Sequence, residues 1–90
     1  MDFESAVKKI PKGKVCTYKI IAEKIGSSPR AVGQMLKRSR NLPCHRVVMS
    51  NGRIGGYREG KKKKREILRE EGVEIEGDRI KDFGSVLFYL

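Results

Sequence analysis

The tetrapeptide Pro43-Cys44-His45-Arg46 sets a thiol beside an imidazole. A thiol attacks as its thiolate, and a nearby imidazole can take the proton directly or through water. Taken alone, the pair also fits a buried, inert cysteine, because adjacent side chains often point apart. Metal chemistry fits less well. A structural zinc site needs four ligands, and Cys16, Cys44 and His45 are the only soft or borderline ones in the chain. No metal and no other cofactor is expected. Cys16 and Cys44 could pair in principle, but a reducing compartment disfavours a disulfide. Cys16 is expected to be buried and unreactive.

The surrounding periodicity shows what must hold these groups. Phe3, Ala6, Val7 and Ile10 stand at i, i+3, i+4 and i+7, the apolar stripe of a helix over 2–10 that Pro11 and Gly13 stop. Thr17 suits the N-cap of a second helix, 18–25, burying Ile20, Ile21 and Ile25, with Gly26 beyond its end. Ser28 and Pro29 start a third, 29–38, which buries Ala31 or Val32 with Met35 and Leu36. Only Gly26-Ser27-Ser28 joins these two helices, a helix-turn-helix signal that a plain helical hairpin would share. Past residue 40 the texture changes. Arg46–Met49 fits a strand, Ser50-Asn51-Gly52-Arg53 carries an Asn-Gly hairpin signal, and Ile54–Tyr57 is a glycine-rich loop. A fourth helix follows over about 60–71, closed by Gly72. Lys61 to Lys64 oppose the dipole of its first turn, so either an external anion such as a phosphate backbone favours them or they form a solvated run. Residues 73–90 read as a hairpin turning at Gly77-Asp78, with Val86-Leu87-Phe88 closing the core. The expected fold is mainly α with a small β-element, one winged helix-turn-helix-like domain over 1–90.

Composition narrows the partners. The chain has 90 residues, 21 Lys and Arg against 11 Asp and Glu, a net charge of +10, and 38% apolar residues. That length and apolar share suit one small folded domain, expected to be a monomer. No apolar run approaches the roughly 18 residues of a membrane span, and the start, MDFESAVKK, lacks the apolar stretch of a secretion signal. A cytoplasmic, membrane-free protein is expected. So large a positive excess points to a polyanion, nucleic acid before an anionic membrane surface.

One order of residues goes further. Pro11-Lys-Gly-Lys-Val15, Thr17-Tyr18, Ile21-Ala22, Arg30-Ala-Val-Gly33, Pro43-Cys-His-Arg-Val-Val48, Asn51-Gly52, Gly55-Gly56-Tyr57 and Glu70-Glu71-Gly72 together resemble the DNA-binding domain of the O6-alkylguanine-DNA alkyltransferases. The resemblance covers about residues 3–75. It implies a suicide repair protein. Such a protein flips an O6-alkylated guanine from double-stranded DNA and moves the alkyl group irreversibly to its own cysteine. Cys44 matches that acceptor, His45 the base that acts through a water, and Glu71 the carboxylate that orients the histidine.

The resemblance also implies a helix-turn-helix in the minor groove, where an ordinary one would enter the major groove. Arg30 matches the finger that fills the space left by the flipped base, offsetting part of the cost of extrusion. Tyr18 matches a tyrosine that crowds the target phosphate. Ala31 and Gly33 are small enough to let the helix approach the sugar backbone. The Val47 carbonyl matches a contact to the guanine amine, Tyr57 a pocket wall, and Leu36 an apolar support for the flipped ring. Lys37, Arg38, Arg40, Lys61 and Lys62 are the further expected phosphate ligands.

Departures matter too. The chain is expected to lack the N-terminal domain of many relatives, since the sequence opens on this one. The link before Pro43 is shortened, and the family's hinge asparagine is either replaced by Ser39 or displaced to Asn41. Arg58-Glu59-Gly60 stands where a Ser-Gly-Gly segment is usual. These losses favour a second expectation, an alkyltransferase-like protein that binds alkylated DNA without repairing it. The retained Cys44, His45, Glu71 and Tyr57 favour the transferase. An ordinary helix-turn-helix regulator would explain the charge but not PCHRVV.

Overall fold

The first three helices start where a short polar side chain can close their open amides. In the computed structural model, which describes residues 1–90, Asp2 accepts from the Ser5 amide at the head of α1 (Phe3–Lys8). Thr17 accepts from Ile20 at the head of α2 (Tyr18–Ile25), at 3.0 Å. Ser28 accepts from Ala31 at the head of α3 (Pro29–Arg38), at 3.1 Å, with Pro29 in the first turn. Gly26 ends α2 at φ +73°, a left-handed conformation that L side chains resist, and lets α3 follow at once. The helix-turn-helix is therefore present with the expected boundaries. The buried stripes differ slightly. Ile21 and Ala22 are the fully buried residues of α2, with Ile20 and Ile25 half-buried at its rim. Val32 and Leu36 are those of α3.

The strand expected over 46–49 is shorter and pairs differently. β1 (Cys16–Thr17) and β2 (Val47–Val48) run parallel, with Cys16 opposite Val47 and Thr17 opposite Val48. Side chains alternate across such a pair. Cys16 and Val47 pack among the helices α1–α3, whereas Val15 and Val48 enter a second core with Ile54, Leu68, Val73, Ile75 and Ile80. The strand pair is thus the septum between two cores. A turn forms here one residue earlier than the Asn-Gly signal suggested, with Gly52 N donating to Met49 O at 3.1 Å, Ser50-Asn51 at its centre and Gly52 left-handed after it at φ +89°. It does not return a strand along β2. Beyond one bond from Met49 N to Arg53 O at 2.9 Å, the returning segment pairs with the later hairpin instead, Arg53 bridging to Arg79 and Ile54 N donating to Asp78 O.

A fourth helix, α4 (Lys61–Glu70), follows the glycine-rich loop, and the hairpin β3 (Ile75–Glu76) and β4 (Arg79–Ile80) turns at Gly77-Asp78 as expected. The last segment adds a short helix, α5 (Phe83–Val86), that the sequence did not suggest. Leu87 then bridges Val15 in parallel, and Val86, Leu87 and Phe88 are half-buried. The fold is a winged helix-turn-helix-like domain, mainly α. No helix is long and apolar enough to cross a membrane.

Candidate active site

Between α3 and β2 the chain makes a 3₁₀ turn over Cys44–Arg46, and α4 ends with Glu71 as its cap. Arg46 joins these parts. Its Nε donates to Glu71 Oε1 at 3.0 Å, Nη2 to Oε2 at 2.8 Å, and Nη1 to the Ile10 carbonyl at 2.9 Å. The planar fork fits the carboxylate at two points, which fixes direction as well as distance. His45 Nε2 lies 2.9 Å from the same Oε2. The Arg46 guanidinium first, and His45 after it, hold the Glu71 carboxyl down at about 2 against the opposing effect of burial. An ionised carboxylate can only accept, so Nε2 carries a hydrogen, and in the neutral ring that leaves the lone pair on Nδ1. The Glu71 side chain is 8% exposed and that of His45 14%, so the pair is largely but not wholly shut off from solvent.

The Cys44 sulfur has other partners. It stands 3.2 Å from Ser39 Oγ and 3.9 Å from the Leu36 carbonyl, against the C-terminal end of α3. Both cysteines are free, and Cys16 is buried, with its thiol pushed up by burial to about 11. No group of three or more His, Cys, Asp or Glu side chains comes together as a metal site.

Cys44 lies in the wall of a cavity of about 820 Å³ that opens along α3. Tyr18, Arg30, Gly33, Leu36, Lys37 and Tyr57 line it with the thiol. The glycine-rich loop supplies a further wall. A Cβ on Gly55, whose φ is +75°, would meet Met49 Cγ at 3.2 Å and the Tyr18 hydroxyl at 3.5 Å. Burial, and after it the charge at Cys44, pushes the Tyr18 phenol up. On the other side of Cys44 a smaller hollow of about 240 Å³ lies against Arg40, Asn41 and Leu42 and shares Tyr57 and Arg58 with the first. The shortened link forms it, with Asn41 left-handed at φ +61°. Ser39, not Asn41, touches the sulfur.

Other residues singled out in the sequence lie apart from this cavity. Ala31 is half-buried, and Arg38, Lys61 and Lys62 are exposed. Lys61 Nζ stands 4.0 Å from Asp78. Val47 is fully buried, and its carbonyl accepts from Lys64 Nζ at 2.7 Å rather than facing the cavity. Lys64 is the clear departure from a solvated or phosphate-bound lysine run. Its side chain turns inward four residues before Leu68 and is 0% exposed. It donates to Val47 O and to Gly56 O and stands 6.0 Å over the Tyr18 ring. Burial pulls its ammonium down to about 8, although the charge at Cys44 acts the other way. Sequence reasoning also passed over Arg46, whose place inside PCHR was the available signal. It gave Arg58 no part either, and Arg58 donates to the Ser39 carbonyl.

Comparison with known proteins bears on the family. A family model described as "6-O-methylguanine DNA methyltransferase, DNA binding domain" matches residues 2–73. The chain belongs to this family. A curated methylated-DNA–protein-cysteine methyltransferase of Saccharolobus islandicus is 57% identical over 72 residues, 77% of this chain and 47% of that protein. The chain thus spans about half the length of the curated relatives it matches. The crystal structure of S. pombe Atl1 in complex with damaged DNA containing O6-carboxymethylguanine superposes with a TM-score of 0.86 at 33% identity, covering 98% of this chain and 92% of that one. The O6-methylguanine-DNA methyltransferase of Pyrococcus kodakaraensis gives 0.70 at 41% identity, covering 81% of this chain and 47% of that one. In this methyltransferase DNA-binding-domain member, the match takes in α1 through Glu71. The hairpin and the C-terminal segment that pairs with Val15 lie beyond it.

Proposed function

We propose that this chain, acting as one domain over 1–90, removes an alkyl group from O6-alkylguanine in double-stranded DNA by transferring it once to Cys44. The observation that carries the reading is the half-buried Cys44 thiol in the wall of a cavity lined from α3 by Arg30, Gly33 and Lys37. A base turned out of the duplex into that space would meet the sulfur. Tyr57 and Leu36 would hold its faces, and Arg30 would fill the vacated stack. His45 Nδ1 would draw the thiol proton through a water, with Glu71 and Arg46 fixing the ring. The sulfur–carbon bond then forms as the carbon–O6 bond breaks. Its electron pair stays on guanine, which takes up a proton. The thioether has no route back, so each molecule turns over once. Lys37, Arg38, Arg40 and Lys62 would carry phosphates, and no cofactor takes part.

A second reading, a lesion binder without transfer, draws on the close superposition with the Atl1 complex and on the extra hollow beside Cys44. Intact mass after incubation with a duplex containing O6-methylguanine separates the two. The transferase gains one methyl group per chain, mapped to Cys44. Tight binding without a mass gain would leave the lesion binder.

A further inference from the structure

The Cys44 sulfur faces the wrong end of a helix for an anion. The carbonyls at the end of α3 are electronegative, and the Leu36 oxygen is 3.9 Å from Sγ. Between them stands the Ser39 hydroxyl, 2.9 Å from Leu36 O and 3.2 Å from Sγ. A hydroxyl has one proton to give and two lone pairs. While Cys44 is a thiol, the hydroxyl donates to Leu36 O and its lone pairs can accept the S–H, which also lies within reach of Leu36 O. Once the sulfur is an anion it can only accept, so the 3.2 Å contact holds only if the hydroxyl turns its proton to the sulfur. Leu36 O is not left bare, since the Ser39 backbone N–H also donates to it, at 3.3 Å. Ser39 is held for this turn. It is the C-cap of α3, with an extended backbone (φ −80°, ψ 157°), and Arg58 donates to its carbonyl.

We propose that Ser39 is a positioning residue for Cys44, its one hydroxyl proton switching from the α3 carbonyl to the sulfur as the thiol ionises. The value of this switch to DNA repair rests on Cys44 being the alkyl acceptor. Other titratable or charged groups also face the sulfur. They are Tyr18 from α2, Arg30 and Lys37 from α3, Lys64 from α4, and His45, which follows Cys44 in the 3₁₀ turn and is held by Glu71. Arg40 comes from the link, and Tyr57, Arg58 and Glu59 from the loop before α4. All of them stay in place in a Ser39 variant, so a change there reports the hydroxyl.

The test is the alkylation rate of Cys44 by iodoacetamide against pH, followed by peptide mass. The sulfur–carbon bond forms, iodide leaves, and the thiol proton has already passed to solvent. A hydrogen bond to an anion lost in Ser39→Ala makes the thiolate about tenfold scarcer at neutral pH. Each thiolate becomes about threefold more nucleophilic. The net expectation is a rate about threefold lower at pH 7, a midpoint about one pH unit higher, and an alkaline plateau about threefold higher. The two profiles cross, and Ser39→Thr restores the original one. Superimposable profiles, or a uniform loss at every pH, would overturn the proposal. If Ser39→Ala does not fold, the S–H Raman band of the unaltered protein decides, identified by its loss in Cys44→Ser. A hydrogen-bonded frequency that moves to the free-thiol value in Ser39→Gly supports the switch; a free-thiol frequency, or one that Ser39→Gly leaves unmoved because Leu36 O is the acceptor, overturns it. The O6-methylguanine duplex keeps the two readings separate. Crossing profiles without methyl gain would leave the Ser39 switch standing and remove the acceptor role.

Discussion

Glu71 serves two partners with one carboxylate, and the consequence is a pH dependence. An ordinary glutamate titrates near 4.5 and this one at about 2. Between those values the unfolded chain takes up a proton that the folded chain refuses. The contribution of the Arg46–Glu71–His45 cluster is therefore complete above about pH 4.5 and lost as pH falls toward 2. Thermal melts followed by circular dichroism should show Glu71→Gln less stable than the unaltered protein at pH 6, with the gap closing toward pH 2. A gap constant over that range would mean the cluster does not hold the carboxylate. Little of this was legible in the sequence. PCHR was visible, but Arg46 meets Glu71 across 25 positions, and no local spacing reports that. Lys64 was hidden for another reason. In a run of four lysines each looks the same, and only the packing of α4 selects the one that turns inward.

At the scale of elements, the helix-turn-helix was readable because its signals are local. Thr17, Gly26, Ser28 and Pro29 each act on amides or dihedrals within a turn of themselves. The parallel pairing of β1 with β2 was not, since it joins residues 31 apart and leaves no turn signature. Within α3, Gly33 marks where helix stability and the proposed task diverge. A Cβ there would meet nothing within 4 Å, so the protein's own packing does not require glycine. Gly33→Leu should stabilise the fold by about 0.5–1 kcal/mol through helix propensity. It should also weaken duplex binding by about tenfold, since the added side chain keeps the DNA backbone away. Gel-shift titration and melting on one sample check both. Unchanged binding would remove α3 from the interface.

For the molecule as a whole, the net charge of +10 makes a quantitative claim. Binding to undamaged duplex should weaken linearly in log affinity against log salt, with a slope of about −0.9 per phosphate neutralised. Lys37→Ala and Arg38→Ala should each reduce that slope by about 1. Lys61→Ala should matter less than Lys62→Ala, because Asp78 already stands 4.0 Å from the Lys61 ammonium. Fluorescence anisotropy across a salt series measures all four, and a flat response would exclude the phosphate backbone as the partner of this surface.

The sequence by itself determined what depends on short range or on residue type. That covers the caps and glycine stops, the apolar stripes, the basic excess, and the order of motifs that marks the family. The tertiary structure alone decided what depends on distant groups meeting. It divided the apolar residues between two cores on either side of β1 and β2. It buried one lysine of four, and it gave the Cys44 sulfur to Ser39 and the Arg46 fork to Glu71. The physical reason is range. Dihedral preferences and capping act over a few residues, whereas burial and ion pairing are set only once the chain has closed on itself.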